Sequence, residues 1–177
     1  PLRKYTRADG WPTHTLTALC VTSGDVVWAA STHGLVTMTD PLRHYTTTDG
    51  LNDRHVSALA FSDSLGLLAG TGRGINRFVK NKFVPLDDEH EFARRKVYDI
   101  QTDSEGGAWF AKEVGLTHYS ATQERTVFRR ELLQNPMGNG FVRNEIFCVA
   151  PDAHNHPWVG TRQGYSWFDG STWHEQP

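Results

Sequence analysis

The chain has 177 residues, of which 38% are hydrophobic, and a formal net charge of -2 at pH 7. This length allows one domain to bury its own core. Nucleic-acid-binding proteins usually carry an excess of Lys and Arg, which this chain lacks. No apolar run approaches the roughly 18 residues of a membrane-spanning helix. We therefore expect no nucleic-acid partner and no membrane segment in this chain. Two cysteines do not make a disulfide framework, so we predict that Cys20 and Cys148 are buried free thiols.

The first half of the chain reads as two successive sets of short strands separated by turns. Strands are predicted at residues 2–6, 16–21, 26–31, 35–38, 42–46, 56–61, 67–71, 75–79 and 83–86. Residues 42–46 nearly copy residues 2–6, and Asp49-Gly50 matches the turn at Asp9-Gly10. These runs are either apolar or alternate between apolar and polar residues, and they are bounded by Gly, Pro, Asn and Asp. Both features are typical of β-strands.

The second half contains two further sets with longer connections. Residues 87–96 form a charged connection that can hold one helical turn, and residues 130–145 form the longest lead-in to an apolar strand. Strands are predicted at residues 97–101, 108–111, 116–119, 126–130, 146–150, 157–161, 165–168 and 172–176. No long stretch has the 3.6-residue period of a helix, so the pattern predicts an all-β protein.

One eight-residue motif recurs in all four sets. It is clearest at residues 158–165, Trp-Val-Gly-Thr-Arg-Gln-Gly-Tyr, and returns at residues 28–35, 68–75 and 109–116. The last glycines of the copies are Gly34, Gly74, Gly115 and Gly164, which gives spacings of 40, 41 and 49 residues. A fixed period in this range indicates a repeat architecture. Each copy is predicted to be a hairpin that turns at this glycine.

The first motif residue is Trp28, Leu68, Trp109 or Trp158, depending on the copy. We predict that the three tryptophans are buried between adjacent sheets. The small residues Gly70, Ala111 and Gly160 are expected where a side chain would prevent neighbouring sheets from packing closely.

Four short strands in every 40–45 residues are typical of a β-propeller blade. The predicted fold is a β-propeller made of four-stranded antiparallel blades, with about four blades in this chain. We assign residues 1–177 to a single propeller segment. The approximate blades are residues 7–46, 47–86, 87–130 and 131–176, and residues 2–6 form an extra outer strand.

The copies resemble the two-component regulator propeller repeat. The resemblance is carried by Asp49-Gly50-Leu51-Asn52, Val56-Ser57-Ala58-Leu59, Leu68-Ala69-Gly70-Thr71 and Gly74-Ile75-Asn76-Arg77-Phe78. It covers essentially the whole chain, although the third copy lacks both the Asp-Gly-Leu and the Gly-Thr elements. The resemblance implies the extracytoplasmic sensing part of a histidine kinase or hybrid regulator, in the periplasm or outside the cell. Such propellers often detect oligosaccharides, so a small-molecule or oligosaccharide ligand is expected.

A ring of polar side chains is predicted to be the ligand-binding site. His14, Arg54, Arg95 and Asn144 each lie two residues before the first apolar position of an inner strand. Equivalent positions in a rotational array point towards one axis, and hydrogen-bond donors there would suit a carboxylate, a phosphate or a sugar. The alternative is that these four side chains are solvated loop residues.

We predict no metal site, cofactor or catalytic residue. His154 and His156 are close in sequence, but a metal site normally needs three or four ligands, and both histidines fall in an expected solvated turn. Residues 103–105, Asp-Ser-Glu, resemble the start of a calcium loop without the rest of its ligand pattern. A plain hairpin turn is the simpler interpretation.

Two other functions are compatible with the sequence. One is a protein-interaction or structural propeller module, and the other is an enzyme that resembles streptogramin lyase. The lyase chemistry would need a histidine base near a magnesium-held substrate, and no matching cluster stands out. We therefore expect a non-enzymatic protein.

The strand count predicts that the chain does not close alone as a four-bladed ring. Outer strands are expected at residues 2–6, 42–46, 82–86, 126–130 and 172–176, which is one more than four blades need. An unpaired edge strand is a template for association. The partners expected from this count are further propeller blades in a longer array or a second copy of the chain.

Overall fold

The computed structural model describes residues 5–11, 15–86, 94–129 and 145–176. These residues form sixteen β-strands and two short 3-10 helices, Arg7–Asp9 and Thr47–Asp49. The strands are β1 (Leu16–Val21), β2 (Val27–Ser31), β3 (Gly34–Thr37), β4 (Arg43–Tyr45), β5 (Val56–Ser62), β6 (Gly66–Thr71), β7 (Gly74–Val79), β8 (Lys82–Pro85), β9 (Val97–Thr102), β10 (Ala108–Lys112), β11 (Gly115–Tyr119), β12 (Arg125–Arg129), β13 (Cys148–Pro151), β14 (Pro157–Thr161), β15 (Gly164–Phe168) and β16 (Trp173–Gln176).

The strands form four separate four-stranded antiparallel sheets, each in simple sequence order. We number the sheets as blades one to four. The prediction of an all-β fold built from four-stranded blades is confirmed. None of the described residues lies in an α-helix, and no helix among them is long and apolar enough to cross a membrane. The helical turn predicted within residues 87–96 falls mostly outside the described residues, and so does the outer strand predicted at residues 2–6.

The first strand of each blade is its inner strand, because β1, β5, β9 and β13 pack against one another in this order. Three of these strands begin with a β-bulge, which adds one unpaired residue and re-aims its side chain. In blades one and two the re-aimed hydroxyl reaches the next blade. Thr17 Oγ1 donates to the Val56 carbonyl at 2.6 Å, and Ser57 Oγ donates to the Val97 carbonyl at 2.5 Å. The bulges therefore link neighbouring blades near the axis.

The threonine and the last glycine of the repeated motif make one turn between them. In blade two the Thr71 hydroxyl donates to the Gly74 carbonyl at 2.8 Å and accepts from the Arg73 amide at 3.1 Å. The glycine has φ +105°, in the left-handed region that favours glycine. Blades one and four repeat this bonding at Ser31 and Thr161. The predicted hairpins are therefore confirmed, with the motif supplying their turn chemistry.

A second repeated element connects successive blades. Thr46 and Asp49 form a capping box around the second 3-10 helix, and the Thr46 amide donates to the Asp49 carboxylate at 2.9 Å. Thr6 and Asp9 make the same bond at 2.8 Å before blade one. Leu51 lies two residues after Asp49 and is buried in the core between blades one and two. Leu51 of the Asp-Gly-Leu sequence therefore anchors the connection to the interface between blades one and two.

Three apolar cores lie between the blades, one at each junction. The first motif residue of blades one to three is buried in these cores, with Trp28 5%, Leu68 0% and Trp109 6% exposed. The prediction for Trp28 and Trp109 is confirmed. Each interblade core joins this position to the inner strand of the following blade, for example Val97 and Ile100 in the second core.

The predictions for Trp158 and Cys148 are wrong, because Trp158 is 40% exposed and Cys148 is also exposed. Both lie on the face of blade four that corresponds to the covered faces of blades one to three. Cys148 pairs with Gly160 just as Ala58, which is 6% exposed, pairs with Gly70. No following blade covers this face within the described residues. Cys20, on the covered face of blade one, is a half-buried free thiol.

Close blade packing at Gly70 generates the first prediction. A Cβ atom there would lie 2.6 Å from Val97 Cγ1 and 3.0 Å from Val97 Cβ, on the inner strand of blade three. Gly70→Ala should therefore lower the free energy of unfolding by about 1–3 kcal/mol, as overpacked cores do. Urea denaturation measures this loss. At the exposed Gly24 a Cβ would meet nothing within 4 Å, so Gly24→Ala is the matched control and should stay within about 0.5 kcal/mol of wild type. Equal effects at the two glycines would contradict the proposed packing role.

Candidate functional site

The start of each inner strand lies beside the hairpin turn of the repeated motif. In blade two the Gly72 amide of that turn donates to the His55 carbonyl, directly before β5. In blade four the Phe147 amide, before β13, donates to the Gly160 carbonyl. We call this end of the blades the entry end. It combines the lead-in to the inner strand with the exposed tip of the hairpin.

Two members of the predicted polar ring are described at the entry end. Arg54 is exposed and Arg95 is half-buried, and each lies two residues before its inner strand. Because β5 and β9 pack side by side, the two arginines lie at the same end of the array. His14 and Asn144 lie outside the described residues. The convergence of all four side chains stays a prediction.

The structure brings together a second group at this end, at the junction of blades three and four. Tyr98 occupies the bulge position of β9, and its hydroxyl donates to Glu145 Oε1 at 3.0 Å. Arg162, from the hairpin tip of blade four, lies with Nη2 3.4 Å from Glu145 Oε2. The Phe147 ring meets the Tyr98 ring edge to face, with centroids 5.2 Å apart, and Lys96 Nζ lies 4.5 Å from the Tyr98 centroid. We call these five residues the Tyr98 cluster.

The Tyr98 cluster is partly open to solvent and carries both charge signs. The Glu145 side chain is 34% exposed and the Arg162 side chain 72% exposed. Burial, followed by the hydrogen bond to Glu145, raises the pKa of the Tyr98 phenol, which keeps it a neutral hydrogen-bond donor. The described basic residues on the lead-ins and hairpin tips of the entry end are Arg54, Arg73, Arg94, Arg95, Lys96, Lys112 and Arg162, and the described acidic ones are Asp53, Glu113 and Glu145. Aromatic rings, donors and cations together can bind a sugar ring or an anionic group.

Sequence reasoning missed the Tyr98 cluster, although a signal was present. The second residue after each lead-in is Thr17, Ser57, Tyr98 or Phe147. The change from small hydroxyl residues to aromatic rings in the last two copies marks a departure from the repeat. Glu145 and Arg162 had no such signal, because only the packing of blade four on blade three brings them to Tyr98.

The predicted turn interpretation fits the histidine pair of blade four. Asp152 Oδ1 accepts from the His154 and His156 amides at 2.8 and 2.9 Å, which closes the turn around the carboxylate.

Two other aspartates accept hydrogen bonds from histidine rings. His118 Nε2 lies 2.7 Å from Asp103 Oδ2, and His174 Nε2 lies 2.7 Å from Asp169 Oδ2. No group of three or more His, Cys, Asp or Glu that could hold a metal ion occurs in the part of the chain that the structure describes.

The chain matches no protein-family model, and a search of curated proteins finds no match. Solved structures do share its fold. The extracellular domain assigned to a hybrid two-component system of B. thetaiotaomicron superposes with a TM-score of 0.75 at 20% identity, over 93% of this chain and 22% of that one. A second such domain from B. thetaiotaomicron gives a TM-score of 0.65 at 14% identity, over 97% and 31%. Virginiamycin B lyase of Staphylococcus aureus gives 0.72 at 12% identity, over 94% and 57%.

These likenesses confirm the propeller fold that the repeat predicted. They include extracellular domains of two-component systems, the class of protein to which the repeat motif points, and also a propeller enzyme. This chain spans 22%, 31% and 57% of the length of the three solved chains. Fold alone does not separate a sensor from an enzyme, so the function has to be argued from the site.

The bond between Tyr98 and Glu145 gives the second prediction. Tyr98→Phe should lower the free energy of unfolding by about 0.5–1.5 kcal/mol, because it deletes one hydroxyl donor and keeps the ring packing. A double-mutant cycle with Glu145→Gln, measured by urea denaturation, isolates the pair from other effects of each change. Strictly additive losses would show that the two side chains do not interact.

The Asp169–His174 pair gives a prediction about pH. The hydrogen bond from His174, with those from the Thr172 and Ser171 amides, holds the pKa of Asp169 well below its usual range. A carboxyl with a depressed folded pKa contributes stability above its unfolded pKa of about 3.9 and loses it as the pH falls through the folded value. Asp169→Asn should therefore be less stable than wild type near neutrality, and the gap should narrow as the pH falls below about 4.

Urea denaturation across this pH range measures the gap. Asp63→Asn, in the exposed turn between β5 and β6, is the control for a change of one surface charge. A gap between wild type and Asp169→Asn that stays constant with pH would contradict the assignment.

Proposed function

We propose that this chain is part of a sensory β-propeller that binds an oligosaccharide at the entry end of its blades. The observation that carries the proposal is the Tyr98 cluster, where a phenol, a carboxylate, a guanidinium and an ammonium group meet beside an aromatic ring. Hydroxyl groups of a sugar can accept from Arg162 and Lys96 and donate to Glu145, while the rings of Tyr98 and Phe147 offer apolar surface.

The excess of basic side chains at the entry end favours a sugar that carries a carboxylate. Arg95 lies on the lead-in to blade three, one residue before Lys96 of the Tyr98 cluster, and Arg54 lies on the lead-in to the neighbouring blade two. Arginine binds carboxylates through two parallel hydrogen bonds. The proposed site therefore extends from the Tyr98 cluster across the starts of β9 and β5.

The likeness to extracellular domains of two-component systems supports a sensory role and a location in the periplasm or outside the cell. In this proposal the propeller binds and does not catalyse. Any kinase or response element that reads the binding lies outside these 177 residues.

Isothermal titration calorimetry against paired acidic and neutral oligosaccharides of equal length tests the proposed function. We expect an acidic member to bind, and Arg54→Ala and Arg95→Ala, each made as a single change, to raise its Kd about tenfold or more, the loss expected for charged hydrogen bonds. Lys82→Ala removes one positive charge from an exposed position on outer strand β8 and is the matched control. It should leave the Kd within about twofold, which is small beside that tenfold loss.

Three results would overturn the proposal. One is that no oligosaccharide binds, and another is that Lys82→Ala weakens binding as much as the arginine variants do. The third is magnesium-dependent turnover of a bound ligand, which would favour an enzyme that resembles the lyase.

A further inference from the structure

Asp99, on the inner strand of blade three, departs from the repeat. It pairs with Ala111 of β10, and the residues at its position in blades one and two are Ala18 and Ala58. Blade four has Cys148 at this position. Of the four copies, the third alone therefore places a carboxylate one residue after the β-bulge.

The Asp99 carboxylate binds backbone amides of two inner strands. Oδ2 accepts from the Val149 amide of β13 at 3.1 Å, and Oδ1 accepts from the Ile100 amide of β9 at 2.8 Å. Oδ1 also accepts from Gln101 Nε2 at 3.2 Å. Val149 and Ile100 are buried, and a buried amide without an acceptor is costly. Asp99 therefore joins blade three to blade four through a charge-assisted hydrogen bond.

The other two junctions make this link in a different way. In blades one and two the bulge residues, Thr17 and Ser57, donate their hydroxyls to a backbone carbonyl of the next inner strand. Tyr98 occupies the bulge of blade three, and its hydroxyl donates to the Glu145 side chain instead. A link between successive inner strands is therefore present at all three junctions. At the third junction it has moved from the bulge residue to the residue that follows it.

We propose that Asp99 is a positioning residue for the Tyr98 cluster. Because Asp99 links β9 to β13, the bulge residue is released from that task and can be an aromatic side chain that faces a ligand. The partners of Tyr98 and Asp99 lie in one short segment of blade four, residues 145–149. The bond to Val149 holds this segment, and with it Glu145, beside the Tyr98 hydroxyl.

Asp99 acts through Tyr98 and Glu145 and not on the ligand itself, because each of its carboxylate oxygens already accepts from a backbone amide. Its role in ligand recognition rests on the proposed function, whereas its link between the two inner strands does not.

Urea denaturation of the 177-residue chain tests the link. Asp99→Ala should raise the equilibrium constant for unfolding about tenfold or more, because two buried amides lose their acceptor. Asp99→Asn keeps the shape but has one acceptor oxygen, so a smaller rise is expected. Asp63→Ala, in the exposed turn between β5 and β6, is the matched control and should stay within about twofold of wild type. An Asp99→Ala chain as stable as this control would overturn the link.

The bond between Tyr98 and Glu145 provides a readout of positioning. In the Asp99→Ala background, the coupling measured by the cycle of Tyr98→Phe and Glu145→Gln should fall below about half of its wild-type value. The Asp99→Asn background replaces it if the alanine variant does not fold. A carboxylate that only contributes stability would leave this coupling unchanged, and that result would overturn the assignment.

A change to the blade-two sequence tests whether Asp99 replaces the bulge hydroxyl. Tyr98→Ser combined with Asp99→Ala gives blade three the Ser57-Ala58 sequence of blade two. The introduced hydroxyl can then bind the Ile146 carbonyl, the counterpart of the Val97 carbonyl that Ser57 binds. Asp99→Ala should therefore destabilise a Tyr98→Ser chain less than it destabilises wild type. An equal or larger loss would contradict the exchange of roles.

Calorimetry with an acidic oligosaccharide that binds wild type tests the role in recognition. Asp99→Ala should raise the Kd about tenfold, because the supporting bond of the site is lost. Leu51→Val removes one methylene group from the first interblade core and is the control for lost stability, so its Kd should stay within about twofold of wild type.

The two measurements separate failure of this assignment from failure of the proposed function. If no oligosaccharide binds wild type, the proposed function is wrong, and the coupling between Tyr98 and Glu145 still decides whether Asp99 positions them. If wild type and the Asp99→Ala chain bind one oligosaccharide with equal Kd, the proposed function stands and the role of Asp99 in recognition is wrong.

Discussion

The packing of an aromatic or aliphatic first motif residue against the next inner strand holds this array together. A single four-stranded sheet of this size has two faces to bury and only its neighbours to bury them against. Trp28, Leu68 and Trp109 fill three equivalent positions, and Gly70 lets Val97 approach closely enough to close one of the cores. The hydroxyls of Thr17 and Ser57 add a polar link near the axis. Each of the three cores therefore depends on side chains from two neighbouring blades.

The candidate site lies where the repeat is broken. Blades one and two place a small hydroxyl residue at the bulge and use it to bind the next strand. Blade three places Tyr98 there, and the longer side chain reaches Glu145 on the lead-in to blade four. The turn chemistry that builds the blades is repeated, while the residues that could recognise a ligand differ from copy to copy. This division is expected when function is carried by loops on a rigid scaffold.

The two wrong burial predictions have one physical cause. Trp158 and Cys148 occupy positions that are covered in the other blades, and their exposure follows from the place of blade four at the end of the array. Sequence equivalence predicts how a residue is oriented in its own sheet. It cannot predict whether another sheet lies on top, because that depends on the neighbours and not on the motif.

The sequence by itself determined the all-β fold, the four copies and the hairpins, because these depend on local patterns such as Thr-x-x-Gly and the Asp-Gly turn. It also placed Arg54 and Arg95 two residues before their inner strands. Only the tertiary structure decided that the Trp158 face of blade four is exposed and which side chains of different blades meet. Tyr98 and Glu145 are 47 residues apart, and their hydrogen bond exists because blade four packs on blade three. Contacts between blades depend on the three-dimensional stacking of sheets, which no local pattern in the chain encodes.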